Sequence, residues 1–197
     1  MNGIRNVSLV GVGGQGILLA SEILCRVALL AGRDVKKSEV HGMAQRGGSV
    51  VSQVRVGERV HSPLVAVGAT DFLVAFEKLE ALRFAHFMKP DGLAIVNEQE
   101  IRPVTVSTGQ AVWPADLDAR LRSTFPRLDR VPALAIATGL GNVRVVNVVM
   151  IGALSRHLDF DAALFPRAIE DLVPEKVRAL NLRAFEAGRT AIPEPRV

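Results

Sequence analysis

Residues 4 to 16, Ile4-Arg5-Asn6-Val7-Ser8-Leu9-Val10-Gly11-Val12-Gly13-Gly14-Gln15-Gly16, constrain this chain more than any other stretch. A short apolar run rich in β-branched residues ends in four glycines within six positions, and a helical pattern, Ile17 to Ala31, follows without a spacer. That order is strand, tight turn, helix. Gly11, Gly13 and Gly16 fit the pattern G-x-G-x-x-G, in which glycine permits the turn, lets the backbone approach a bound group, and allows the helix to pack closely on the strand. Successive backbone N–H groups there, aided by the positive end of the helix dipole, suit an anion, with phosphate or pyrophosphate the natural guest. The competing reading is a tight turn that glycine closes with no ligand. Gln15 bears on the choice, because an amide at the mouth of the turn donates to a ligand or bridges to another loop.

After Gly32, Asp34 to Val40 reads as a second strand carrying Lys36 and Lys37, with Glu39 near its end. In a dinucleotide fold an acidic residue about 20 positions beyond the glycines holds the ribose hydroxyls. Glu39 is a candidate for that role, and otherwise a solvated strand end. The next stretch, His41-Gly42-Met43-Ala44-Gln45-Arg46-Gly47-Gly48-Ser49, has neither helical nor strand periodicity and is crowded with donors and glycine. Arg46, two glycines and Ser49 offer a planar guanidinium, accessible N–H groups and a hydroxyl, all suited to phosphate or carboxylate. A plain hairpin tip is the alternative. His41 is either a local hydrogen-bonding group or an acid–base candidate.

Val50 to Val56 alternates apolar and polar residues and turns at Gly57-Glu58 into Arg59-Val60-His61, which predicts an antiparallel hairpin at a half-exposed sheet edge. Such an insertion argues against a plain dehydrogenase domain. A strand at Phe72 to Phe76, a helix at Glu77 to Phe87, a turn at Lys89-Pro90-Asp91-Gly92 and a strand at Leu93 to Val96 make a second crossover unit. Asp91, Gly92 and Asn97 bear a superficial likeness to a thiamine diphosphate magnesium motif, but the spacing favours a simple turn. Short strands are predicted at Val104 to Val106 and Gln110 to Trp113, with a helix from Asp116 to Phe125 capped by Asp116. Val131 to Ala137 reads as a last strand or the start of a buried helix. Val143 to Leu158 is an apolar helix with Asn147, which needs partners if buried, and Gly152, which admits a close neighbour. Two amphipathic helices follow, Asp161 to Leu172 and Glu175 to Ala187, the second begun by Pro174 and closed by Gly188.

The fold class is therefore α/β, Rossmann-like, with a mostly parallel sheet, an inserted antiparallel hairpin and a helical C-terminal tail. With 197 residues and 49% apolar composition, one domain with a full core is expected. No uncharged apolar run reaches 18 residues and no basic leader precedes the first strand, so the expected setting is the cytoplasm, not a membrane. The net charge of +4 is interspersed and aromatics are few, which does not support a nucleic-acid groove. Cys25 is the sole cysteine, so the chain cannot hold an iron–sulfur cluster alone, which takes about four thiolates. Its place inside the first helix marks it as packing, and no metal site is indicated.

Taken together, the Gly11 to Gly16 turn, the His41 to Ser49 loop, Gly141-Asn142 with Asn147, and Asn181 with Ala184-Phe185-Glu186-Ala187-Gly188 resemble one family. It is the gamma domain of 2-oxoacid:ferredoxin oxidoreductases, and within it the small beta subunits of indolepyruvate ferredoxin oxidoreductases. The resemblance spans nearly the whole chain, treating residues 1–190 as one gamma-type domain and 191–197 as a frayed tail; residues 100–135 carry it least. It implies an accessory subunit in coenzyme A-dependent oxidative decarboxylation of a 2-oxoacid, such as an arylpyruvate or pyruvate. Thiamine diphosphate, Mg and 4Fe-4S iron–sulfur clusters are then carried by a larger partner subunit, with ferredoxin downstream and a homodimer within a hetero-oligomer as one arrangement. Under this reading Gly11, Gly13, Gly14, Gln15 and Gly16 bind a cofactor phosphate. His41, Gln45, Arg46, Gly47, Gly48 and Ser49 face coenzyme A or the partner, and no residue of this chain is itself catalytic. A stand-alone NAD-dependent dehydrogenase and a non-catalytic interaction module are the alternatives.

Overall fold

The computed structural model describes residues 3–41 and 47–192, with His41 described by its backbone alone. The predicted opening unit forms as β1 (Arg5–Val12), a turn, and α1 (Ile17–Leu30). It is followed by β2 (Asp34–His41), β3 (Ser49–Gly57) and β4 (Thr70–Ala75), then α2 (Lys78–Arg83), β5 (Met88–Asn97), α3 (Val104–Ser107) and α4 (Leu117–Thr124). β6 (Leu128–Val131), α5 (Ala133–Gly139), α6 (Val146–Ser155), α7 (Leu164–Leu172) and α8 (Glu175–Thr190) complete the described chain. The six strands make one mixed sheet in the order β2-β3-β1-β4-β5-β6. β1, β4, β5 and β6 run parallel, while β3 pairs antiparallel with both β1 and β2.

Alternation along the central strands divides the core in two. Val7 and Leu9 of β1, Val74 of β4 and Ile95 of β5 face a larger cluster built with α1, α5, α6, α7 and α8. Val10, Leu73, Ala75, Ala94 and Val96 face a smaller one covered by α2 and α4. Successive side chains of a strand point to opposite faces, so a strand covered on both sides must be apolar throughout.

Several expectations are corrected. The hairpin is β2–β3, not residues 50–61, and β3 lies inside the sheet. Its side chains are mostly buried, whereas β2, with Asp34, Lys36, Lys37 and Glu39, carries charges that suit an unpaired edge. Residues 59–61 leave the sheet as Asp34 Oδ2 accepts the Val60 N–H at 2.7 Å. Lys89–Gly92 is not a turn but the start of β5, where the pairing with β4 shifts register between Thr70 and Phe72. Residues 77–87 break into α2 and a separate 3-10 turn at Ala85–Phe87. Val104–Ser107 is helical, and residues 110–113 form no strand. Asp116 makes no side-chain cap but pairs with Arg120 at 2.8 Å. Strand and helix share residues 128–139, divided at Pro132, and the helix expected from Val143 begins as a 3-10 turn. Gly188 does not close the last helix; it lies inside α8 against α6. Gly42 to Arg46 and the tail from Pro193 lie outside the described residues.

Candidate functional site

The site is built at the carboxyl ends of β1, β4 and β5, where ligands of open α/β sheets bind. Gly14 and Gly16 have φ of +105° and +79°, a left-handed backbone that favours glycine. A Cβ on Gly16 would also stand 2.6 Å from Asn147 Nδ2. Asn147 is buried, and both halves of its amide are used: Nδ2 donates to Gly16 O at 3.2 Å, and Oδ1 accepts the Val148 N–H at 2.9 Å. α6 thereby clamps the start of α1.

Across the turn, the backbone of β3's leading residues reaches the glycines. Gly13 N–H donates to Gly48 O at 2.8 Å and Gly47 N–H donates to Gly13 O at 3.4 Å. The structure thus joins two stretches separated in sequence by more than a whole helix and strand. Ser49, the first residue of β3, donates its hydroxyl to Glu80 Oε2 on α2. Glu80 and Glu77 are nearly fully buried. Glu77 caps α2, taking the Glu80 N–H at 2.9 Å and the Ile101 N–H at 3.2 Å. Burial pushes the Glu77 carboxyl above its usual range, outweighing these hydrogen bonds.

Gln15 acts as a bridge. Its Oε1 accepts the Val12 N–H at 2.8 Å, while Nε2 donates to Phe76 O at 2.9 Å and to Gln99 Oε1 at 3.0 Å. Asn97, fully buried at the end of β5, donates from Nδ2 to the same two acceptors at 3.0 and 3.2 Å and accepts the Ala133 N–H at 3.1 Å. Three amides and one carbonyl therefore stitch together the ends of β1, β4 and β5 and the start of α5. Asn97 is fully buried with both ends of its amide hydrogen-bonded, and Asp91 lies six residues away near the other end of β5, so a thiamine–magnesium motif does not fit here. Among the described residues no cluster of three His, Cys, Asp or Glu side chains is placed to hold a metal.

A cavity of about 400 Å³ opens beside the turn, lined by Gly14, Gln15, Gly16, Gln99, Leu134, Val143, Arg144 and Val146. A neighbouring cavity of about 510 Å³ shares Leu134 and follows the start of α5 along Asn97, Glu98 and Pro132. Another, of about 360 Å³, sits at the opposite end of the sheet among arginines and aspartates, far from the glycine turn. Glu39 is not part of the site. It lies on the edge strand with β3 between it and β1, roughly 10 Å across the sheet, and its carboxylate pairs with Lys37 at 2.6 Å. Glu39 is therefore not placed to hold a ribose at the glycine turn. Residues that sequence reasoning did not single out include Glu77, Glu80, Gln99 and Arg144; the rule that sites gather at strand carboxyl ends points to the first and third. Gln45 and Arg46, and the side chain of His41, lie outside the description.

The family model for pyruvate ferredoxin/flavodoxin oxidoreductase matches residues 6–191. An indolepyruvate oxidoreductase subunit IorB of Archaeoglobus fulgidus is 41% identical over 187 residues, covering 93% of this chain and 92% of that protein. The fold matches pyruvate oxidoreductase subunit PORC of Thermotoga maritima with a TM-score of 0.73 at 23% identity, over 95% of this chain and 96% of that one. It also matches a 2-oxoglutarate:ferredoxin oxidoreductase of Magnetococcus marinus, solved with 2-oxoglutarate, coenzyme A and succinyl-CoA bound, with a TM-score of 0.73 at 19% identity; there, 99% of this chain covers only 32% of the other. The glycine turn, the loop joined to it and these likenesses agree: the chain belongs to the pyruvate ferredoxin/flavodoxin oxidoreductase family, as an IorB-type subunit of an indolepyruvate or 2-oxoacid ferredoxin oxidoreductase.

Proposed function

We propose that this subunit caps the active site of a larger partner and supplies part of the surface that binds coenzyme A, in the oxidative decarboxylation of an aryl 2-oxoacid such as indolepyruvate. The observation that carries this reading is the exchange of backbone hydrogen bonds between Gly13 and Gly47–Gly48, which makes the turn and the arm of the His41–Ser49 loop one continuous surface beside the 400 Å³ cavity. Gly14 and Gly16 let a phosphate approach the backbone there, and Arg144 lends positive charge. Arg46, on the same loop, is the cation expected to face coenzyme A or the partner.

Thiamine diphosphate with its Mg, and the 4Fe-4S clusters, belong to the partner in this reading, and supply carbanion stabilisation and electron transfer toward ferredoxin. A single cysteine cannot ligate a cluster, which supports that division. The chain's own groups bind, orient and exclude water. Among the described residues no helix is long and apolar enough to cross a membrane.

Capture of the chain from its native extract, followed by assay for coenzyme A-dependent dye reduction with a panel of 2-oxoacids, tests this. The expected result is a large thiamine- and iron-containing partner with arylpyruvate activity. Arg46→Ala is expected to cut that activity while assembly is kept; full activity removes the loop from the reaction.

A further inference from the structure

The hydrogen-bond network fixes the orientation of one amide more tightly than a surface glutamine requires. Backbone groups decide how Gln15 and Asn97 face, since each side-chain oxygen accepts a backbone N–H, from Val12 and from Ala133, and each nitrogen donates to Phe76 O. Both nitrogens also point at Gln99, so the atom of Gln99 they meet must be its oxygen. Its Nε2 is left on the other side of the amide. Among the described residues that nitrogen has no hydrogen-bond partner, although Gln99 is half-buried and lines the 400 Å³ cavity. Among the described residues no carboxylate lines this cavity, and Arg144 does.

We infer that Gln99 Nε2 is a preorganised donor for an oxyanion of the substrate or coenzyme bound in this cavity. The inference rests on the reading of the cavity given above and deepens it. A group held by two neighbours before the ligand arrives loses little freedom on binding, which is what a specificity contact needs. The ligand chemistry is an acceptor oxygen with negative charge, whether a phosphate of coenzyme A or the carboxylate of the 2-oxoacid.

Gln99→Glu is the discriminating variant. It keeps an inner oxygen to accept from Gln15 and Asn97, and replaces the outer donor with a repelling oxygen. In the assembled oxidoreductase, carrying its partner subunit, this change is expected to leave assembly intact and raise one KM by roughly 10- to 100-fold, the scale of a lost charge-assisted hydrogen bond. A rise for coenzyme A alone identifies a phosphate, and a rise for indolepyruvate alone identifies the carboxylate; either supports the assignment. Unchanged KM values for both overturn it, with or without a fall in kcat. Should Gln99→Glu not assemble, Gln99→Met, similar in volume, removes the donor together with the inner acceptor: one KM raised as above supports the assignment, and unchanged KM values overturn it. Arg46→Ala is measured alongside: if it raises the KM for coenzyme A while Gln99→Glu moves neither KM, the donor assignment fails and the reading of the site stands; if neither variant moves a KM, both fail.

Discussion

Replacing Gly188 with alanine tests how the C-terminal helices fix the site. α6 and α8 approach so closely that each glycine lies over the other helix's backbone: a Cβ on Gly188 would stand 2.0 Å from Val149 O, and one on Gly152 2.1 Å from Phe185 O. Ordinary contact begins at 3.4 Å, so Gly188→Ala must part the helices by about 1.4 Å along that line. The obstacle is a carbonyl, which no rotamer change can move aside. All ten residues of α6 are buried, so the helix has no free direction in which to yield. Alanine itself favours a helix over glycine by about 1 kcal/mol. Against that gain stand an overpacking cost of about 1–3 kcal/mol, at times more, and dispersion lost along the opened interface, where a gap of about 0.5–1 Å forfeits a quarter to a half of each contact. The net expectation is a loss of about 2 kcal/mol, which lowers Tm by about 4–8 °C for a chain of this size. Thermal unfolding followed by circular dichroism measures it. Gly139, at the end of α5, has no atom within 4 Å of its would-be Cβ, so Gly139→Ala should be neutral or stabilise by up to about 1 kcal/mol. A Gly188→Ala protein as stable as the parent, or shifted in the same direction as Gly139→Ala, refutes the reasoning. Since α6 also carries Asn147, which holds Gly16, the same displacement reaches the glycine turn.

Burial, ahead of the opposing charge of Lys37, pushes the Cys25 thiol up to about 11. About 0.1% is then thiolate at pH 8, so labelling by a disulfide reagent should proceed at the rate of unfolding; rapid stoichiometric labelling of the native protein would sink this. Lys78, nearly buried on α2, lies 2.9 Å from both Glu100 and Asp118. Burial lowers its pKa, but hydrogen bonds to Asp118 and Glu100 win and raise it, while the bond from Lys78 lowers that of Asp118. The contribution of a raised lysine is complete below its unfolded pKa, about 10.4, and is lost as pH rises through the folded value; that of the lowered aspartate is present above about 3.9 and is lost as pH falls through its own folded value. Lys78→Met should therefore flatten the urea-unfolding stability profile at both extremes, and a variant profile parallel to the parent's would mean the ion pairs contribute nothing.

The elements legible in the sequence are those set by local pattern. α1 follows an unbroken helical period, and the alternation of residues 50–56 marks a strand whatever it pairs with. What that alternation leaves open is the neighbour, because pairing is a long-range choice, and so a pattern that predicts an edge strand belongs to β3, which lies inside the sheet. Pro90-Asp91-Gly92 has the composition of a turn yet begins β5, since the register shift against β4 accommodates it. At the site, the chemistry of Gln15 was readable as an amide that bridges or binds, but its partner Gln99 lies 84 positions away. Glu77 and Glu80 were invisible as site residues, because glutamates are mostly exposed and only the fold reveals that these two are enclosed.

The position of β3 also sets this glycine turn apart from the dinucleotide-binding turn that its pattern matches. In a dinucleotide fold the strand beside β1 is parallel to it, so that strand's carboxyl end arrives at the turn and delivers an acidic residue to the ribose. Here the neighbour is antiparallel, with Val12 opposite Ser49 and Gly11 opposite Val50. Its amino end arrives instead, and with it Gly48 and Gly47, the residues that precede it in sequence. Glu39 is displaced one strand outward by the same arrangement. Reversing one strand thus replaces a carboxylate with the backbone of Gly47 and Gly48 beside the turn, which under the function proposed above forms part of a surface for anionic groups. The arrangement needs a brace, because a loop arm is otherwise free to leave. The Ser49–Glu80 hydrogen bond and the paired backbone of Gly13 with Gly47 and Gly48 provide it from two directions.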